Sequence, residues 1–229
     1  VKNIPKSKLP RNLVLSMGSF GYSLAASVAD IIDNSISAEA SKIWIKFLWN
    51  NGSPWIAIID NGRGMKTKEL EDALCFAGRS SKSIRANSDL GRFSLGLKTA
   101  SISQCKYLSV ASKSKGRPIS IGEWDLREKA DNLEFLSASI LQSKDLKNDI
   151  FINSLIDSDL KEQSSGCIVL WRDLDISIVG EGKQSDQRRF SEKMNLVQVH
   201  LERTFHRFLE FEKGYKTIEI YFNGTKVEG

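Results

Sequence analysis

The segment from Tyr22 to Ala40 has two faces with helical periodicity, and this feature restricts the fold most. Its apolar residues recur at steps of three and four, which predicts a helix with one buried side. They are Ala25, Val28, Ala29, Ile32 and Ile36. A polar set at i, i+3, i+4 and i+7 shares a second side. It consists of Asp30, Asp33, Asn34 and Ser37. These polar residues either converge on a ligand or form a solvated surface, and the helix alone favours neither interpretation.

The composition is that of a single large domain. The 229 residues, of which 41% are hydrophobic, suffice for one substantial core. A net charge of +5 permits an anionic partner such as a nucleotide or nucleic acid, although an ordinary mildly basic surface explains it better. Residues 1–13 are predicted to form a solvated basic arm, since they carry Lys2, Lys6, Lys8 and Arg11.

Cysteine usage and hydropathy exclude several classes of protein. Cys75, Cys105 and Cys167 are widely spaced and include no C-x-x-C pair. This pattern argues against a disulfide framework and a zinc site, and it predicts a reducing, cytoplasmic location. The sequence contains no run of about 18 apolar residues, so we expect no membrane span. The N-terminus does not resemble a signal peptide.

The first half of the chain reads as alternating strands and helices. After the first helix, "KIWIKFLWN" and "WIAIID" are separated by "NNGSP", which predicts a hairpin whose second strand ends at Asp60. "KTKELEDALCFAG" predicts another amphipathic helix. The polar run "RSSKSIRANSDLG" is predicted to be a loop. "GRFSLGLKTASISQC" then predicts a turn and a helix leading into the strand "YLSVAS".

The second half is predicted to contain strands and one long helix. "PISIGEWDL" and "GCIVLWRDL" read as strands, and the stretch near 142–165 between them has little pattern. "EKMNLVQVHLERTFHRFLEF" predicts a long helix, and "KTIEIYFNGTKVEG" a strand with an Asn-Gly turn. The predicted buried side of the helix contains Leu196, Val199, Leu201, Phe205 and Phe208.

Polar residues that could take part in binding or catalysis lie on or next to three of these elements. Asn34 is a neutral oxygen ligand suited to magnesium, and Asp30, one turn earlier, could orient or deprotonate a water molecule. Asp60, at the end of a strand and before flexible glycines, could accept an exocyclic amino group such as that of adenine. Taken alone, "DNGRG" is a common turn.

The third element is a helix preceded by glycine. Gly91 and Gly96 expose backbone N–H groups near a helix N-terminus, where polyphosphate is favoured, and Lys98 could add a positive charge. A glycine pair before a helix also serves close packing, so this element is weak evidence by itself. Each of the three elements is weak evidence alone, but their combination in this order is a specific sequence pattern.

In order, "DIIDN", "DNGRGM" and "GRFSLGLKTAS" resemble the three sequence boxes of the GHKL ATPase superfamily. This superfamily includes gyrase, heat-shock chaperones, histidine kinases and MutL. The wording "GLKTAS" is most similar to the MORC and MutL-like branch, in particular its bacterial members found with restriction and phage-defence genes. "GCIVLWRDLD" and "HLERTFHRFL" resemble later elements of such domains, so the resemblance covers most of the chain. The histidine-kinase branch is disfavoured because His200 and His206 both follow the boxes.

The resemblance implies an α+β fold, a two-layer α/β sandwich of the GHKL (Bergerat) type with helices on one face of a mixed sheet. It implies ATP between the helices, under a lid of residues 79–90, with residues 79–98 holding the lid and glycine box. Carried over by position, the ATP-binding residues are Asn34, Asp60, Gly62, Gly64, Met65, Lys82, Gly91, Leu95, Gly96, Leu97, Lys98 and Thr99. Asn34 would bind Mg²⁺, Asp30 would be the catalytic base, and Asp33 would support the magnesium ligand.

The sequence departs from the family pattern at three positions. Asp30 stands where gyrase-like and MutL-like members usually have glutamate, which implies a shifted site or slow hydrolysis. Ser94 replaces the middle glycine of the third box and tolerates positive φ less well. Cys167 stands where a threonine is frequent, and we interpret it as an apolar packing change rather than a reactive thiol.

The implied function is magnesium-dependent binding and slow hydrolysis of ATP, driving lid closure and dimerisation. Residues 1–229 would be one domain, the N-terminal ATPase of a MORC/MutL-like protein acting on DNA or in phage defence. Residues 216–229 would begin a following domain that supplies a lysine to the site, so this chain would be weakly active. Expected partners are ATP or ADP, a second subunit, DNA and restriction or defence proteins, with no membrane. The alternatives are a nucleotide-gated binding module or chaperone-like switch with little hydrolysis, and a DNA-binding domain with a vestigial nucleotide site.

Overall fold

The computed structural model describes most of the chain outside the predicted lid. The described residues are 22–75, 93–127, 138–141, 149–181, 183–210 and 217–229, with 2–3, 9–10, 12, 16 and 135–136. The predicted lid at 79–90 and most of the basic arm lie outside them.

Eleven strands are described. They are β1 (Lys2–Asn3), β2 (Leu9–Pro10), β3 (Lys42–Leu48), β4 (Trp55–Asp60), β5 (Cys105–Lys113), β6 (Ser120–Asp125), β7 (Phe135–Leu136), β8 (Ser139–Ile140), β9 (Gly166–Leu174), β10 (Glu219–Phe222) and β11 (Thr225–Lys226). Nine of them form one sheet in the order β1-β8-β6-β5-β9-β4-β3-β10-β11. The pair β3 and β10 is parallel and the other pairs of this sheet are antiparallel, so the sheet is mixed.

Six α-helices accompany the strands in the described part of the chain. They are α1 (Leu24–Ser37), α2 (Thr67–Leu74), α3 (Phe93–Ile102), α4 (Ile150–Leu155), α5 (Ile176–Val179) and α6 (Gln184–Leu209). The α1, α2, α3 and α6 helices pack on one face of the sheet around the larger hydrophobic core. This arrangement confirms the predicted α+β sandwich.

The opposite face of the sheet carries a smaller apolar layer. Ala57, Ile59, Ile168 and Leu170 point to this face, and α4 with the π-helical turn Ile156–Leu160 covers them. Alternate residues of the same strands, such as Ile56 and Ile58, face the larger core. Both faces are therefore buried at the sheet centre, which explains the continuous apolar runs in β4 and β9. No helix was predicted in the poorly patterned stretch near 142–165.

The buried side of α6 differs from the prediction. Leu196 is 67% exposed and Val199 is 41% exposed, so both assignments to the core are wrong. The side chains that enter the core instead lie at steps of three and four along one stripe. They are Phe190, Met194, Val197, Leu201 and Phe205. Leu201 and Phe205 agree with the prediction, and Phe208 packs partly buried against this core. Within the described residues, no helix combines the length and apolar character needed to cross a bilayer.

Candidate functional site

The polar residues of α1 differ in exposure, since Asp30 and Asn34 are half-buried while Asp33 and Ser37 are exposed. The Ser23 hydroxyl caps its start by accepting a hydrogen bond from the Ala26 backbone N–H at 3.1 Å. On the apolar side Val28 and Ile32 are fully buried. Burial raises the pKa of Asp30, and burial together with the negative charge of Asp30 raises the pKa of Asp33. The two carboxyl groups therefore lie close enough to influence each other, as their predicted helical spacing requires.

Asn34 carries an unsatisfied polar atom. Its amide nitrogen is buried and finds no hydrogen-bond partner among the described residues. Because the oxygen and nitrogen of an amide are assigned from their hydrogen bonds, the orphaned position marks a missing donor or acceptor partner. A bound cation with its water molecules would satisfy an amide oxygen placed there, so Asn34 fits the predicted magnesium ligand.

Asp60 lies at the end of β4 and is held on both carboxylate oxygens. The Ser35 hydroxyl donates to its Oδ2 at 2.9 Å, and the Gly62 backbone N–H donates to its Oδ1 at 2.8 Å. Burial raises the pKa of Asp60 to about 6, although these two hydrogen bonds and one from the Cys167 backbone lower it. Asp60 is thus a fixed, buried carboxyl group, and the hydrogen bonds that it accepts favour its ionised form.

Sequence reasoning missed Ser35. It lies between the predicted ligand Asn34 and the apolar Ile36, and it is 3% exposed. Its hydroxyl has one hydrogen, and the Ile31 backbone carbonyl at 3.2 Å is a second, more distant acceptor of the kind that serine uses in many helices. Only the pairing with a strand 25 residues away gives this serine a role at the site.

Close packing of the backbone explains both glycines after Asp60. Gly64 has φ +63°, and a Cβ there would lie 1.9 Å from the Lys113 carbonyl oxygen. A Cβ on Gly62 would lie 2.8 Å from the Ala38 carbonyl oxygen. Met65, the next predicted pocket residue, donates its backbone N–H to the Ser112 hydroxyl at 2.8 Å. The loop is therefore fixed against α1 and β5 before any ligand binds.

Cys167 is the direct neighbour of Asp60 on β9. The two residues are paired in the antiparallel register, and Ser112 lies opposite Cys167 on its other side. Burial strongly raises the pKa of the Cys167 thiol, with a smaller contribution from the charge of Asp60. A thiol in this state is a poor nucleophile, in line with the packing interpretation.

The α3 helix contributes the third predicted element. A Cβ on Gly96 would meet no atom of the described residues within 4 Å, so no described side chain packs against this position. Leu97 is buried, and Thr99 is half-buried. Gly91 and Lys82 lie outside the described residues, as do the side chains of Leu95 and Ser94.

Lys98 occupies an unexpected place. Its side chain is 1% exposed, and its ammonium group donates to the backbone carbonyls of Ala73 at 2.9 Å and Cys75 at 2.5 Å. Burial lowers the pKa of Lys98 to about 8. In this structure the charge thus lies at the end of α2 rather than in solvent beside Gly96.

The structure brings the three predicted boxes onto adjoining elements. The Ser35 to Asp60 hydrogen bond joins α1 to the end of β4, and α3 packs against both α1 and α2. This sheet-and-helix arrangement defines the class of proteins with the GHKL ATP-binding fold. Residues 22–156 match the family HATPase_c_3, described as "Histidine kinase-, DNA gyrase B-, and HSP90-like ATPase", and the chain belongs to this family.

The chain is similar in sequence to MutL and MORC proteins. It is 35% identical over 117 residues to the DNA mismatch repair protein MutL of Microcystis aeruginosa, covering 48% of this chain and 20% of that protein. It is 27% identical over 115 residues to ATPase morc-1 of Caenorhabditis elegans, covering 50% and 13%. A third relative is the mouse (Mus musculus) structural maintenance of chromosomes flexible hinge domain-containing protein 1, 26% identical over 190 residues and covering 64% and 9%. The chain therefore spans a fifth or less of the length of these relatives.

Proposed function

We propose that this chain binds ATP with magnesium and hydrolyses it slowly. The observation that carries the proposal is the buried Asp60 carboxyl group, fixed by Ser35 and Gly62 at the end of β4. A carboxylate has about four lone-pair positions. Those two bonds account for two of them, which leaves acceptor capacity for the amino group of adenine.

The phosphates are proposed to lie between α1 and the N-terminal half of α3. A Cβ on Gly96 would meet no atom of the described residues there, so these residues leave the backbone of α3 open to close approach. Helix N-termini favour phosphate because their first N–H groups are unpaired. Asn34 would hold a magnesium ion, which when bound neutralises phosphate charge. Gly91, Leu95 and Thr99 are proposed to contact the phosphates, with Lys82 reaching them from residues 79–90, which would cover the nucleotide.

Asp30 is proposed as the general base. A base works best when its pKa approaches the working pH, and burial moves the pKa of Asp30 in that direction. Its proposed role is to orient and deprotonate the attacking water molecule, while Asp33 supports Asn34. Hydrolysis is proposed to be slow because aspartate is one methylene shorter than the glutamate of related enzymes.

The proposal for the whole protein follows from its relatives. Nucleotide binding is proposed to close two subunits around a partner, and opening would follow hydrolysis. Because two relatives are named for DNA mismatch repair or chromosome maintenance, we propose DNA as a partner, with restriction or phage-defence proteins as further candidates and the cytoplasm as the location.

A second candidate is a nucleotide-gated binding module that hardly turns ATP over. The short Asp30 side chain favours it, because catalysis is sensitive to displacements of about 1 Å. Turnover and ATP binding of the wild type and Asp30→Ala separate the two candidates. Loss of turnover with retained binding supports the ATPase, whereas equal, negligible rates with retained binding support the module. The exposed Glu39→Ala variant, past the end of α1, controls for removal of an acidic side chain.

A further inference from the structure

We infer that Lys98 is a positioning residue, which ties α3 to the C-terminal end of α2 and thereby sets the location of Gly96. This inference rests on the proposed function, since the positioned group is the proposed phosphate site. It differs from the expectation that Lys98 contacts phosphate directly.

The contacts of Lys98 satisfy the end of α2. The last carbonyl groups of a helix lack partners within it, and a positive charge is favoured there. Lys98 Nζ donates to the carbonyls of Ala73 and Cys75, and Trp124 Nε1 donates to the Leu74 carbonyl between them at 3.1 Å. Three successive carbonyls thus receive side-chain donors, and two of these bonds come from α3.

Other contacts fix the opposite end of α3. The Trp171 indole N–H donates to the Ser101 hydroxyl at 2.8 Å, and the hydroxyls of Ser27 and Ser103 lie 3.5 Å apart. These contacts attach the C-terminal end of α3 to β9 and α1. Lys98 attaches the middle of α3 to a separate helix, so α3 cannot rotate about its C-terminal end without breaking the Lys98 bonds.

Gly96 lies two residues before Lys98, and a Cβ there would meet no described atom within 4 Å. A shift of the backbone at Lys98 therefore moves the backbone at Gly96 almost equally. Ligand contacts are lost over displacements of about 1 Å. Loss of the Lys98 bonds should therefore lower the affinity for phosphate. The Lys98 bonds do not determine the position of the Asp60 region, which is fixed through Ser35, Gly62 and Met65.

Two substitutions separate positioning from direct phosphate contact. Lys98→Met removes the donors and the charge, and Lys98→Gln keeps an NH₂ donor group without the charge. Positioning predicts ATP affinity in the order wild type, Lys98→Gln, Lys98→Met, with a loss of about tenfold or more for Lys98→Met and unchanged adenosine affinity. Lys46→Met is the control, because Lys46 pairs with Asp159 on the opposite face of the sheet. Its nucleotide affinities should equal those of the wild type.

Hydrogen exchange of the nucleotide-free protein completes the test. We expect Lys98→Met to accelerate exchange in the last turn of α2 and in α3, with Lys98→Gln intermediate. Equal ATP losses in both variants with unchanged exchange would overturn the inference in favour of a phosphate ligand. Faster exchange with wild-type ATP affinity would overturn it in favour of a purely structural role. If the wild type binds neither ATP nor adenosine, the proposed function itself fails, and the inference with it.

Discussion

Ser35 on α1 donates a hydrogen bond to Asp60 at the end of β4, with 2.9 Å between Oγ and Oδ2. Both side chains are buried, at 3% and 6% exposure. The bond joins the helix that carries Asn34 to the strand that carries the proposed adenine acceptor. It therefore sets the relative position of the two halves of the proposed site.

Replacing Ser35 by alanine should weaken both the fold and the site. Removing a buried donor from a carboxylate costs about 1–3 kcal/mol, so the free energy of unfolding should fall by that amount. The pKa of Asp60 should rise further, because the Ser35 bond lowers it. ATP affinity should fall as well. Urea unfolding and calorimetry measure these effects, and the exposed Ser37→Ala on the same helix is the control. Equal behaviour of the two variants would contradict the role of Ser35.

The stability of the protein should depend on pH through Asp60. Its folded-state pKa of about 6 exceeds the ordinary 3.8, so the folded protein binds the proton more tightly. The stabilisation linked to this proton is complete below about pH 4 and is lost as the pH rises through about 6. A difference of about 2 pKa units corresponds to about 3 kcal/mol.

Asp60→Asn isolates this contribution, because Asp30 and Asp33 titrate in both proteins. Between pH 4.5 and 7 the free energy of unfolding of the wild type should decrease relative to that of Asp60→Asn. Denaturant unfolding at several pH values measures the difference. A difference that stays constant over this range would show that the carboxyl group has an ordinary pKa in the folded protein.

Gly96→Ala should stabilise the protein while impairing nucleotide binding. A Cβ at Gly96 would meet no atom within 4 Å in the part of the chain that the structure describes, so the substitution introduces no clash there. Alanine is favoured over glycine inside a helix by about 1 kcal/mol, and the midpoint of thermal unfolding should rise. The added methyl group would occupy the space proposed for phosphate, so ATP affinity should fall more than adenosine affinity. Unchanged ATP binding would place the phosphates elsewhere.

The main layers of the fold could be predicted from the sequence because they follow simple periods. The apolar side of α1 and the hairpin ending at Asp60 both agree with the structure. The sequence does not show which side of α6 is buried, because Leu196 and Val199 belong to a second apolar stripe with similar spacing, which is exposed in the structure. The pattern within a helix does not reveal which of two such stripes meets the sheet.

The candidate site was predictable to the extent that its residues form local motifs. Asn34 and Asp60 can be nominated from the sequence because each lies in a short segment with helical or turn chemistry, and their roles stay predictions. The Ser35 bond and the position of Lys98 each depend on a contact between segments that lie 25 residues apart in the sequence. The periodicity within one helix or strand does not predict such contacts. The sequence does not predict that α4 covers the second face of the sheet, because the apolar run of this helix is short.

Calorimetric titration with ATP and magnesium, on the wild type, Asn34→Ala and Asp60→Asn, tests the central claim most directly. The Ser37→Ala variant serves as the control for changes on α1. We expect binding by the wild type and Ser37→Ala, and its loss in the other two variants while they remain folded. Wild-type affinity in both Asn34→Ala and Asp60→Asn, or no binding by the wild type, would contradict the nucleotide site.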